Sequence, residues 1–205
     1  MALIRPIRPE NSAHLAAIHD HAIDNLRFIR EAIESAGPFT AVPGKGGMLM
    51  GATAIFAAFA AHLSKSSAAW VAIWIAESLL AIAIGLAFSY RKASQSSTPL
   101  LSKPFRRFVL ALTPPIFAGA VLSIVLFRQH QIALLPAVWL LLYGAGITCG
   151  GAFSVRIVPL MGLAFLAVGS LAAIAPAAWA DYELALGFGG LHLLFGFLIA
   201  RRYGG

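Results

Sequence analysis

Residues 68–90 read AAWVAIWIAESLLAIAIGLAFSY, an apolar run of membrane-spanning length with one acid, Glu77, near its middle. A helix rising ~1.5 Å per residue needs about 20 apolar residues to cross a hydrocarbon layer of ~30 Å, and this run supplies them. Continuous apolarity rather than alternation points to a helix and argues against a barrel strand. A carboxyl group that deep in hydrocarbon costs several kcal/mol unless it is protonated or partnered. Glu77 is therefore either a functional device or a buried strut between helices.

Five more apolar runs flank this one: Gly46 to Leu63, Phe108 to Phe127, Ala133 to Phe153, Ile157 to Ala178 and Leu184 to Ala200. The first and last are short and need local thinning of the bilayer or extension into its interface. Over 205 residues, 60% of side chains are hydrophobic and only 11% charged, too little polar surface to cover a soluble core. The expected fold is an all-α integral membrane bundle of six transmembrane helices with an N-terminal cytoplasmic amphipathic helix. Residues 1–45 form the leader, that helix and a Pro/Gly elbow, and residues 46–205 form the membrane domain. The opening MALIRPIRPENS lacks the apolar core of a secretory signal, so the first span is expected to direct insertion.

Basic residues set the orientation. With the amino terminus in the cytoplasm, thirteen of the fifteen lysines and arginines fall on that side, and only Lys65 and Arg128 fall outside. Such sorting is what the positive-inside rule expects of an even number of crossings with both termini cytoplasmic. It also accounts for the net charge of +7 without nucleic acid, for which no binding motif is present.

From about Ser12 to Ala36 the pattern changes. Leu15, Ile18, Ala22, Leu26, Ile29 and Ile33 recur every three or four residues and make one apolar stripe. Gly37 followed by Pro38 stops the helix. Asp20, Asp24, Glu31 and Glu34 outnumber Arg27 and Arg30, the reverse of the usual balance in helices that lie on anionic lipid. The stripe is thus expected to pack on protein: the underside of the bundle, a second copy, or a cytoplasmic partner. His14, His19 and His21 are read as solvated.

The link PFTAVPGKGG, residues 38–47, forbids a continuous helix into the first span and is expected to act as an elbow. Its glycines lack the GxxxxGK-[ST] pattern of a phosphate loop. Gly47 and Gly51 on span 1, and Gly146 and Gly150 on span 4, offer small-residue packing edges. Pro114 and Pro115 are expected to kink span 3. The lone Cys149 excludes an intramolecular disulfide and a multi-cysteine metal site, and is expected to be an inert buried thiol.

Candidate chemistry gathers at one depth. Counting along the spans, Glu77, Tyr143 and His192 lie about 12 to 15 Å from the outer surface, so an acid, a phenol and an imidazole can share one layer if their helices adjoin. Such a layer suits proton-coupled solute movement or ligand binding; structural hydrogen bonding is the alternative. Sharper chemistries fail. His62 and His192 lie at different depths and cannot face each other across a haem, no HExxH zinc motif is present, and no cofactor or metal is implied. The chain resembles rhomboid proteases in pairing a candidate nucleophile on the fourth of six spans with a histidine on the sixth. It lacks GxSG, however, and Cys149 stands about 12 Å from the level of His192.

The segment DNLRFIREAIESAGPFTAVPGKGG, the six spans after it, and GFGGLH with a closing ARR resemble a group of uncharacterised small multi-spanning proteins of the bacterial inner membrane. That resemblance implies location and supplies no activity. The function expected is non-enzymatic: a scaffold or regulatory membrane protein working by helix-mediated association, with a small proton-coupled transporter or ligand-binding protein built on Glu77 and His192 as the alternative.

Overall fold

The computed structural model describes residues 18–19, 21–29, 32, 37–95 and 102–204. The chain divides into two compact units, Met1–Gly37 and Pro38–Gly205. In the first, residues 21–29 form helix α1, and the side chains described there, Ile18, Leu26, Phe28 and Ile29 among them, are all exposed. Leu15 and Ile33 lie outside the described residues.

The second unit is built of helices: α2 (Gly44–His62), α3 (Ser67–Gln95), α4 (Lys103–Arg128), α5 (Leu135–Gly151) and α6 (Ile157–Ala172). A last composite rod runs through α7 (Ala180–Leu184), a π-helical segment (Ala185–Leu191) and α8 (His192–Tyr203). Five stretches are long and apolar enough to cross a membrane: Gly44–His62, Ser67–Gln95, Lys103–Arg128, Ile132–Gly151 and Ala177–Tyr203. Helix α6 is apolar but shorter, 16 residues or about 24 Å. Run five of the sequence is therefore helical only as far as Ala172; Ala175–Pro176 interrupts it, because proline cannot continue the turn it follows.

The helices form two triplets. Helix α2 packs against α3 and α8, and α5 packs against α4 and α6. One core joins them, with Ala57, Trp74 and Ile199 of the first triplet meeting Leu140, Ile147 and Phe165 of the second. Many seams are closed by small residues. A Cβ on Gly51 would come within 2.7 Å of the Gly189 carbonyl oxygen and 2.8 Å of the Leu193 nitrogen, and one on Gly196 within 2.7 Å of the Met48 nitrogen. Backbones that close leave no room for a methyl group, which is how membrane helices maximise dispersion contact where lipid offers no hydrophobic incentive to associate. Helix α4 runs unbroken through Pro114 and Pro115, with the Thr113 hydroxyl donating to Val109 O at 2.7 Å one turn back.

The elbow is part of the bundle rather than a free linker. Phe39 N donates to Phe153 O at 2.7 Å, Ser154 Oγ donates back to Phe39 O at 2.7 Å, and the Phe39 ring lies on Phe105 and Phe108. Lys92 Nζ donates to Val42 O at 3.0 Å and to Gly204 O at 2.7 Å. These bonds gather the start of α2, the end of α3, the start of α4, the turn between α5 and α6, and the end of α8 at one end of the bundle. The six rods therefore alternate in direction. Lys45, Arg91, Lys103, Arg106, Arg107, Arg156, Arg201 and Arg202 lie at or next to these helix ends, and Lys65 and Arg128 at the opposite ones.

The α2–α8 seam makes a quantitative prediction. Gly51→Ala should lower stability by roughly 1–3 kcal/mol, the usual cost of overpacking. Gly85→Ala adds a methyl group whose only neighbour within 4 Å is Met50 Sδ at 3.8 Å, and should be neutral or gain up to about 1 kcal/mol of helix propensity. Thermal unfolding in detergent micelles distinguishes them; equal behaviour of the two variants would contradict the seam.

Candidate functional site

Three polar constellations interrupt the apolar bundle. The most enclosed is built on His192, 4% exposed, where the π-helical segment passes into α8. The sequence ALGFGGL supports the wider π turn because Gly187 and Gly189 let it lie flush against Leu140 and Ile55 of neighbouring helices. His192 Nδ1 lies 2.9 Å from Phe188 O. A carbonyl only accepts, so Nδ1 carries the proton; Nε2 of the neutral ring is an acceptor, and the Tyr143 hydroxyl donates to it at 2.8 Å. Phe165 and Phe188 pack around the pair, with ring centroids 4.8 to 6.3 Å from Tyr143 and His192.

Glu77 sits elsewhere. It is 9% exposed, faces α2 rather than α8, and receives a hydrogen bond from Thr53 Oγ1 at 2.8 Å. The same hydroxyl lies 2.9 Å from Met50 O and 3.2 Å from Leu49 O. Its single proton serves one acceptor at a time. A carboxylate takes that proton, whereas a protonated carboxyl donates to Oγ1 and lets the hydroxyl turn to its own helix, so Thr53 partners either form of the acid. Trp74, one turn before Glu77, reaches Phe188 with centroids 6.3 Å apart, and Phe188 in turn stacks on His192. Trp74 Nε1 is buried and meets no acceptor among the described residues.

The third constellation caps the end of the bundle away from the elbow. Asp181 Oδ1 accepts from Trp70 Nε1 at 2.7 Å, and Oδ2 lies 3.2 Å from His62 Nδ1. Trp70 stacks on Trp139 at 5.6 Å with the planes 9° apart, and Trp139 Nε1 donates to Ser123 Oγ at 2.7 Å.

Of the residues singled out in the sequence, Tyr143 and His192 are brought together and Glu77 is joined to neither. Thr53, Phe188 and Asp181 had no sequence signal of their own. Nothing local shows that Asp181 would meet His62 and Trp70 from distant parts of the chain. Cys149 is exposed on α5 rather than buried, because Gly144, Gly146 and Gly150 take the packed faces of that helix. No group of three or more His, Cys, Asp or Glu able to hold a metal occurs among the described residues.

The Tyr143–His192 pair has both ring nitrogens engaged by Tyr143 and the Phe188 carbonyl, so its chemistry is that of a hydrogen-bonded tie or a proton store. No family model matches the chain, and neither does any curated protein or solved structure.

The pair is testable by a double-mutant cycle. Tyr143→Phe leaves Nε2 without its donor and should cost roughly 1–2 kcal/mol, the upper range for a hydrogen bond between membrane helices. With His192→Leu already in place, the same change should cost markedly less. Additive losses in micelle unfolding would show that the bond does not carry the coupling.

Proposed function

We propose that this chain is a six-span protein of the bacterial inner membrane, with both ends in the cytoplasm, that works by association. Its leading helix engages a second copy or a cytoplasmic protein, and the bundle anchors the chain in the membrane. The observation that carries this reading is the exposed apolar surface on α1: Leu26 is 66% exposed, Phe28 73% and Ile29 51%. Apolar side chains of that size gain from being covered, and the acidic balance of residues 12–36 favours a protein cover over an anionic lipid surface. The chain from α1 leads into an elbow held by backbone and side-chain bonds at Phe39 and Val42.

The six crossings rest on alternating rods whose basic ends gather at one side, with α6 spanning a locally thinned layer. Association is tested on the full chain in native membranes. Leu26→Asp combined with Ile29→Asp should abolish crosslinking to the partner or second copy while insertion and folding of the bundle persist; an unchanged crosslink pattern would sink the reading.

A second reading is supported by Glu77, an acid held inside an apolar helix by one hydroxyl that partners it in either protonation state. Here Glu77 exchanges a proton during the movement of a small solute or binding of a ligand, with the Tyr143–His192 pair as a separate polar station in the bundle. Glu77→Gln keeps an oxygen for Thr53 but cannot exchange the proton. It should abolish proton-coupled flux in proteoliposomes without loss of assembly, and undiminished flux would exclude it.

A further inference from the structure

Three of the four tryptophans make one continuous ladder that ends on the buried phenol of Tyr143. Between ring centroids, Trp139 lies 5.6 Å from Trp70, Trp70 lies 6.4 Å from Trp74, Trp74 lies 6.3 Å from Phe188, and Phe188 lies 5.3 Å from Tyr143. The ladder begins at the end of the bundle away from the elbow, where Trp70 and Trp139 are half-buried and Trp70 Nε1 donates to Asp181. Indoles and phenols give up one electron far more readily than a benzene ring does. Phe188 is therefore a bridge between Trp74 and Tyr143, and the other rings are stations.

Where a missing electron would come to rest depends on protons. Losing one electron turns an indole N–H or a phenol O–H into a strong acid, and the site that holds a base for that proton keeps the vacancy. Trp74 Nε1 is buried with no acceptor among the described residues, so an oxidised Trp74 keeps its proton and stays a strong oxidant of its neighbours. Tyr143 is the opposite case. Its hydroxyl already points at His192 Nε2 from 2.8 Å, and Nε2 is free to take a proton because Nδ1 holds the ring's own proton against Phe188 O at 2.9 Å. After the transfer Nε2–H donates to the phenoxyl oxygen and Nδ1–H still donates to the carbonyl, so no side chain has to move. His192 is 4% exposed, which keeps solvent from the radical.

We propose that the bundle is a one-electron relay that settles an oxidising equivalent on Tyr143. An outer-sphere one-electron oxidant at the Asp181 end takes an electron from Trp70 or Trp139 and is itself reduced by one electron. The ladder is refilled through Trp74 by an electron from Tyr143, whose O–H bond breaks as its proton passes to His192 Nε2. The products are a neutral phenoxyl radical and an imidazolium, and one electron returning along the ladder, with Nε2 handing the proton back, restores the pair. This relay depends neither on the association of α1 nor on proton exchange at Glu77.

The test uses the full chain in detergent micelles with Tyr90→Phe, Tyr182→Phe and Tyr203→Phe in place, because these three tyrosines are exposed and would give phenoxyl signals of their own. Photogenerated tris-bipyridine ruthenium(III) is the oxidant, and transient absorption with electron paramagnetic resonance reads which radical forms. This parent chain should show a tryptophan radical that decays into a phenoxyl radical. Trp74→Phe, which keeps a ring in place and breaks no hydrogen bond, should slow phenoxyl formation about tenfold. His192→Gln offers Tyr143 an acceptor but no base, and should lower the phenoxyl yield at least tenfold and leave tryptophan radicals in its place. Micelle unfolding confirms that each variant is folded. Tryptophan radicals alone in the parent chain would overturn the proposal whatever the variants do. So would an unchanged rate in Trp74→Phe or an undiminished phenoxyl yield in His192→Gln.

Discussion

Inside hydrocarbon a helix gains nothing by hiding apolar side chains from lipid, and every polar group it carries must find a partner within the protein. That double constraint shapes the whole bundle. Helices associate where their backbones can touch, so glycines gather at the seams: Gly51 against Gly189 and Leu193, Gly196 against Met48, and Gly144 against Gly162 and Leu166. Most of the few polar side chains then sit where those close approaches deliver a partner, Trp74 Nε1 being an exception among the described residues.

His192 shows how the two demands meet. The glycine-rich π segment lets the last rod approach α2 on one side while setting the imidazole toward α5 on the other. The Phe188 carbonyl fixes the proton on Nδ1, and Tyr143 completes the ring's hydrogen bonding across the boundary between the two helix triplets. The elbow repeats the strategy at the end of the bundle, where Ser154 and the backbone of Phe39 and Phe153 tie the entering chain to the second triplet. Asp181 does so at the opposite end, holding α2 and α3 to the last rod through His62 and Trp70.

Much of this architecture was legible because hydropathy and charge act locally along the chain. The apolar run around Glu77 becomes part of a 29-residue helix, and the basic residues that sort along the sequence also sort to one end of the bundle. Depth counting set Tyr143 in the same layer as His192, and the two do bond. It set Glu77 closer still to that level, yet the acid turns to Thr53, because depth says nothing about which way round a helix faces. Thr53 itself gave no signal, since a lone threonine in an apolar run is ordinary until an acid on another helix meets it. Cys149 was misread for the same reason: rotation about the helix axis decides burial, and the glycines of α5 claim the inward faces. The elbow's prolines and glycines announced a break but not the bonds that seat it, which come from residues 50 to 115 positions away.

The central physical claim is that His192 is a neutral ring held from both sides, and it is read most directly by nitrogen NMR of the histidine-labelled chain, with His192 assigned through its substitution. The account predicts the proton on Nδ1 and an unprotonated, hydrogen-bonded Nε2 that loses its bond in Tyr143→Phe. A ring protonated on Nε2, or one indifferent to Tyr143, would contradict it.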